Sequence, residues 1–221
     1  MTKHLLLNLR TALILLIAAV APAALAQETA NLPADLDATS LARIPYLQRT
    51  GLDAAGQEIF DLLPGRSPEG VLGGPLAFAA YNPAAAKALF DLHNAAVAGT
   101  LDAYARELAI MVACRETNYN LEWNAHEASA LRAGISPAVI DVIRTNGALT
   151  GLAEKDAAVI SFGRQLFTDK HVDSATFATL VELFTNRGVM DIVAVMNTYA
   201  VSGFYAIAVD EHMPAGEPVL K

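Results

Sequence analysis

Across 221 residues the chain has one cysteine, Cys114, one tryptophan, Trp123, and no run of basic residues. A lone cysteine cannot pair within a monomer, so stability has to come from packing. Two readings of Cys114 stay open: a small buried apolar residue within Ile110-Met111-Val112-Ala113, which we prefer, and a reactive thiol. Charge is scarce too, at 17% of residues, and its balance is acidic, with 23 Asp and Glu against 15 Lys and Arg. Phosphate backbones are held by clustered Lys and Arg, so the composition argues against nucleic acid as a partner. Internal repeats and low-complexity tracts are missing, and nothing alternates convincingly with period two. What the chain does have is apolar content, 54%, enough for the core of one domain.

Lys3 and Arg10 precede an apolar run from Ala12 to Val20, and the small residues of Ala24-Leu25-Ala26 follow. This is the three-part pattern of a secretory signal over residues 1–26, with Gln27 opening the mature chain. The alternatives are an uncleaved membrane anchor or a helix of the domain; the run is short for a span and Pro22 breaks it. The expectation is export to the periplasm or beyond, with no stable membrane insertion after processing. Loss of Lys3 and Arg10 would take the formal charge from -8 to -10. Residues 27–52 hold scattered Pro, Asp, Ser and Thr without a sustained period, which predicts a loosely ordered N-terminal arm before a domain over 53–221.

From Asp53 onward the punctuation is helical. Asp53 caps a helix through Leu63, ended by Pro64-Gly65, and the Gly- and Pro-rich stretch Arg66 to Pro75 reads as a surface loop over a site. Asn82-Pro83 starts a helix marked by Leu89, Phe90, His93 and Ala96 and closed by Gly99, and Thr100 is expected to open the next. Ser136-Pro137 repeats the start signal, with Gly147 as the stop. Helical period continues through Val159, Phe162, Gly163 and Leu166, then Phe177, Leu180, Val181 and Phe184. A last helix from about Val189 towards Val209 is apolar on more than one face, as a helix buried by neighbours or another subunit would be. The fold class is all-α, a helical bundle.

The most informative segment is Arg106 to Gly134, RELAIMVACRETNYNLEWNAHEASALRAG. One helix carries Glu107, a polar break falls at Thr117 to Asn120, and a second helix carries Glu122, Trp123, His126 and Glu127. Glu122 and His126 are four apart and share a face. If the helices fold back as a hairpin, Glu107 can meet that face, converging two carboxylates and an imidazole able to move a proton near neutral pH.

At these residues the chain resembles the carboxymuconolactone decarboxylase and alkylhydroperoxidase D superfamily. The residues that carry the resemblance are Arg106-Glu107, Ala113, Arg115, Thr117, Glu122-Trp123, His126-Glu127 and Ala133-Gly134, with outward extensions to Gly74-Pro75 and Tyr199. The likeness spans about residues 50 to 215. In the peroxide-reducing branch a Cys-x-x-Cys precedes the histidine, and its two positions here are Tyr119 and Glu122. A dithiol cycle needs one thiolate to attack and another to resolve, and neither sulfur is where that site needs it. The resemblance therefore implies a branch without the dithiol, with Glu107 and His126 as the proton-handling pair and Glu122 in place of a sulfur. The family's decarboxylases deliver a proton to carbon without a metal or organic cofactor, so no cofactor is expected. The resemblance also implies a homo-oligomer, a trimer or hexamer.

Each residue has a plainer reading as well. Glu122 and His126 can be a surface pair, and Tyr119 and Trp123 can be core packing. Two carboxylates and a histidine can hold zinc or iron, but helical di-iron sites use Glu-x-x-His, three apart rather than four, so no metal is expected. His93, Arg115 and Tyr199 are candidate contacts for a substrate or its carboxylate, beside Tyr119 and Trp123. The leading expectation is a cofactor-independent lyase or isomerase acting on a small carbonyl- or carboxylate-bearing molecule. A non-catalytic oligomeric ligand- or partner-binding protein is the alternative, and a peroxidase-like redox role through Cys114 is third.

Overall fold

The computed structural model describes residues 32–67 and 70–220. The expected signal segment, residues 1–26, lies outside the described residues. Among the described residues the elements run, in order, β1 (Leu47–Gln48), α1 (Ala54–Leu62), β2 (Val71–Leu72), a short 3-10 turn (Ala79–Tyr81), α2 (Pro83–Val97), α3 (Ala103–Glu116), α4 (Asn120–Arg132), α5 (Pro137–Arg144), α6 (Glu154–Arg164), a π-helical turn continuing it (Gln165–Asp169) and α7 (Ser174–Ala208). The fold is all-α, and its one small sheet pairs β1 with β2 antiparallel, Leu47 opposite Leu72.

Three side chains cap helices where the sequence places them: Asp53 accepts from the Gly56 amide, Asn82 from Ala85 and Ser136 from Val139; Asp173, which carries no such expectation, caps α7 by accepting from Thr176. Thr100 does not open α3. That cap is Asp102, accepting from the Ala105 amide at 2.7 Å, while the Thr100 amide and hydroxyl both donate to the buried carboxylate of Asp191 on α7. A buried charge needs such donors, and these hold Asp191 below the usual carboxylate range.

α3 is the central rod. Ala105 and the whole run from Leu108 to Cys114 are buried, so it has almost no solvent face, and α4, α5, α6 and α7 pack around it. α6 approaches closely because Gly163 has no side chain: a Cβ there would lie 2.2 Å from Cγ1 of Val112. α7 is not one straight helix. Thr185 has φ 63° and ψ 167°, which divides the Phe177–Phe184 period from the apolar stretch beyond Val189. By length and composition α7 could cross a membrane, but 56% of its most apolar stretch is buried against the rest of the chain.

A second, smaller core gathers Ile59, Phe60 and Leu63 of α1 with Leu72, Ala79, Ala80 and Ala86. α2 spans the seam, since Ala86 belongs to this cluster and Ala96 to the larger one. The loose arm expected over 27–52 is corrected where it is described. From residue 32 on, that segment is fastened to the end of α7: the Arg43 amide donates to Val209 O at 2.7 Å, the His212 amide to Leu41 O at 2.9 Å, and Ala42 is fully buried. Turn chemistry rather than helical period orders it, with the Asp37 carboxylate accepting from the Thr39 and Ser40 amides.

Candidate functional site

The turn between α3 and α4 sets the geometry. Thr117 closes α3, its hydroxyl donating to Ala113 O at 2.8 Å, Asn118 takes a left-handed φ of 49°, and the Tyr119 amide donates to Cys114 O. Gly203 of α7 lets this turn pack tightly, since a Cβ there would lie 2.9 Å from the Thr117 hydroxyl oxygen. The chain reverses, and α4 lies along α3 as a hairpin.

Across the hairpin, His126 Nδ1 lies 2.8 Å from Oε2 of Glu107. On its own helix, His126 Nε2 lies 3.3 Å from Oε2 of Glu122. The Tyr199 hydroxyl of α7 is 3.2 Å from the same nitrogen, with its ring edge-on to the imidazole. The result is a chain of polar groups, Glu107 to His126 to Glu122, within a mostly buried setting: the three side chains are 12%, 20% and 9% exposed. Burial pulls the imidazole towards neutrality, but the hydrogen bonds and negative charges of Glu107 and Glu122 outweigh it and lift His126 to about 9. At neutral pH the ring is a cation with both N–H groups committed to carboxylates.

Glu122 opens onto a cavity of about 200 Å³. Its other polar lining comes from His93 and Asn94 of α2 and from Thr198, Tyr199 and Ser202 of α7. The apolar side is built by Leu89 and Phe90 of α2 and by Pro64, Pro75 and Leu76; of the described residues of the Gly- and Pro-rich stretch Arg66 to Pro75, Pro75 lines the cavity. Gly65 shapes that loop with φ +93°, and a Cβ there would lie 2.4 Å from Gly73 O. His93 is shifted down by burial and by the cationic His126, partly offset by Glu122, and is neutral at pH 7. Burial and the charges of Glu122 and Glu107 raise Tyr199 well above the usual phenol range, so it keeps its proton.

Of the expected contacts, His93 and Tyr199 reach the cavity and three others do not. Arg115 sits at the C-terminal end of α3 and bonds the Asn118 side chain. Trp123 is core packing on another side of α4 from Glu122: it is 2% exposed, its indole donates to Glu127, and the Arg144 guanidinium covers its ring. Tyr119, also buried, faces a separate cavity of about 180 Å³ beside Gly203 and Glu211. The redox reading of Cys114 also meets a physical obstacle. Its sulfur is fully buried in the main core, and burial together with Glu122 and Glu107 pushes the thiol well above its ordinary range, so the nucleophilic thiolate is suppressed. Among the described residues no group of three or more His, Cys, Asp or Glu is arranged to hold a metal ion.

Thr198, Ser202 and Asn94 were not singled out in the sequence. The signal for the first two was present: small hydroxyl residues four apart, either side of Tyr199, on a helix rich in apolar residues. Asn94 carried none.

Residues 83–163, from the start of α2 through nearly all of α6, match the carboxymuconolactone decarboxylase family. That segment contains Glu107, Glu122 and His126. Among solved structures, the fold matches the alkylhydroperoxidase AhpD core of an uncharacterized peroxidase-related protein from Ralstonia eutropha JMP134, at 24% identity over 81% of this chain and 95% of that one, with a TM-score of 0.60. No curated protein matches.

Proposed function

We propose, for a chain of the carboxymuconolactone decarboxylase-like and alkylhydroperoxidase D-like superfamily, that it is a cofactor-independent lyase or isomerase moving a proton on a small carbonyl compound. The observation that carries this reading is the Glu107–His126–Glu122 chain, whose last carboxylate lines a cavity. Glu122 is the group that meets substrate, and His126, held cationic between two carboxylates, fixes its orientation and balances its charge. Tyr199 and His93 offer donors to a carbonyl oxygen, so charge that develops there as a C–H bond opens has a partner. This assigns base and acid differently from the sequence reading, in which Glu107 and His126 formed the working pair. Glu107 lies behind the histidine as a positioning residue, because only Glu122 of the three lines the cavity.

A dithiol peroxidase is the activity this reading opposes, since Tyr119 and Glu122 occupy the sulfur positions and Cys114 is sealed in the core. Hydroperoxide turnover lost in Cys114→Ser would reverse it. The primary test is exchange of substrate hydrogens with deuterated water, followed by NMR over a panel of small lactones and ketones. Exchange in the wild type that disappears in Glu122→Gln supports the reading, and exchange unchanged in that variant refutes it. Assembly as a trimer or hexamer and export with cleavage before Gln27 belong to the same proposal. Sedimentation of the mature protein and its intact mass test them, and a full-length mass recovered with membranes would favour the anchor instead.

A further inference from the structure

We propose that the substrate of this cavity is an uncharged, unsaturated cyclic carbonyl compound rather than a carboxylate anion, because among the described residues its walls carry a carboxylate and no Lys or Arg. The proposal rests on Glu122 being the group that exchanges the proton.

Size comes first. An apolar cavity of roughly 150 Å³ accepts a benzene ring, so about 200 Å³ suits one ring with a small substituent. Polarity then divides the space. Pro64, Pro75, Leu76, Leu89 and Phe90 supply an apolar wall for the ring, while the polar groups gather on α2, α4 and α7.

The character of those polar groups decides the charge. A carboxylate taken out of water is held most strongly by Arg or Lys, whose donors and positive charge replace the lost water. Among the described residues lining the cavity there is neither. Arg106 is within electrostatic reach of Tyr199 but does not line the space, and Arg115, the expected partner for a carboxylate, is bonded to Asn118. The cationic His126 is already matched by two carboxylates, Glu107 and Glu122. The hydroxyls add acceptors rather than donors: Thr198 donates its proton to Val195 O at 2.9 Å and Ser202 donates to Thr198 O at 3.1 Å. An anion entering here would lose its hydration and meet Glu122 with no cation to offset the repulsion, since the Tyr199 hydroxyl, the His93 ring and the Asn94 amide are neutral donors. A neutral carbonyl needs no such cation and takes one or two of those donors, which is what one carbonyl oxygen accepts.

The reaction that fits is isomerisation of such a compound. Glu122 takes a proton from the carbon next to the unsaturated carbonyl system, the C–H electron pair passes into the enolate, and Glu122, once its acid proton has traded with water, returns a proton to the other end of that system. Nothing else is consumed, and His126 keeps its charge throughout.

The test uses a matched pair of probes, β-angelica lactone and the same ring with a carboxymethyl group in place of the methyl. By titration near neutral pH, the neutral lactone should bind at least about tenfold more tightly than the anion. Asn94→Arg, which adds a cation at an exposed rim position without disturbing the core, should raise affinity for the anion by at least about tenfold. Equal or tighter binding of the anion by the wild type, failure of Asn94→Arg to recruit it, or binding of neither probe at millimolar concentration overturns the proposal. Exchange of the ring hydrogens in deuterated water separates this from the underlying reading. Preference for the neutral lactone without exchange upholds the substrate class and defeats proton transfer, whereas exchange on both probes without preference does the reverse.

Discussion

The hairpin of α3 and α4 reaches the cavity through Glu122, and the segment of described residues between 32 and 76 supplies part of its wall through Pro64, Pro75 and Leu76, yet the two are made by opposite means. The hairpin is regular, its central helix buried along nearly its whole length, and its polar residues are fixed by helical spacing and one tight turn. The wall has one short helix, two two-residue strands and a series of turns, several at glycines with positive φ. It holds itself by backbone bonds to the end of α7. A proton-transfer group has to be placed within a few tenths of an ångström, which rigid helices do well, while a wall that only excludes water and shapes a ring tolerates irregular chain. The difference predicts that the hairpin governs rate and the wall governs which molecule is accepted.

The largest effect expected from that division is on turnover. Glu122→Gln, the change closest to the substrate, should lower the rate of proton exchange by about a hundred- to ten-thousand-fold, the usual span for a lost general acid or base. His126→Ala should act almost as strongly, because it leaves two carboxylates facing one another without their cation. Glu107→Gln should have the smallest effect of the three, since it alters Glu122 only through the ring. Circular dichroism should show helicity retained in Glu122→Gln and Glu107→Gln. In the wall, Leu76→Ala should raise KM with little change in kcat. A fall in kcat as deep as that of Glu122→Gln would mean that the wall takes part in the chemistry, and the division would fail.

Packing should differ in the same direction. Gly163→Ala drives a methyl group into the branched, fully buried side chain of Val112 on the central helix, so a loss of about 1–3 kcal/mol is expected in chemical denaturation. Gly65→Ala is also strained, by its positive φ and by Gly73 O, but its loop is at the surface. Its cost should therefore appear mainly as weaker ligand binding. Equal losses of global stability would show that wall and bundle unfold as one unit.

How legible each part was in the sequence follows from the same contrast. Helical period and caps are local signals, and they located Asp53, Asn82 and Ser136 as helix starts. The spacing of Glu107, Glu122 and His126 implied a meeting that needed only one turn to bring about. The packing of 32–52 depends on bonds to residues more than a hundred and fifty positions away, such as Arg43 to Val209, and no local pattern announces those. Thr100 was misread for the same reason. Its side chain looks like a cap, but a distant carboxylate, Asp191, claims it. Trp123 and Arg115 share the informative segment with the site residues and point elsewhere, because a helix has several faces and the sequence does not say which one meets the cavity.

The smallest expected effect, and the one that separates the two regions without a substrate, is on stability against pH. His126 in the hairpin is lifted from an ordinary 6.5 to about 9 in the folded chain. A group whose proton is held more tightly when folded contributes stability that is complete below pH 6.5 and is lost as pH rises towards about 9. Glu211, beside the segment that forms the wall, bonds Tyr46 at 3.3 Å, and burial raises it from 4.5 to about 7. Its contribution is complete below pH 4.5 and is lost as pH rises through about 7. Stability should therefore fall in two steps, each on the order of 1–2 kcal/mol after allowing for partial exposure. Glu211→Gln should remove the acidic step and leave the alkaline one. Glu107→Gln should do the opposite, shrinking the alkaline step without abolishing it, because Glu122 still holds the ring. Urea midpoints measured from pH 4 to 9.5 across the range of both groups would resolve the steps. A single step removed by either variant would mean that the two carboxylates answer to one shared titration, and the independence of hairpin and wall would be lost.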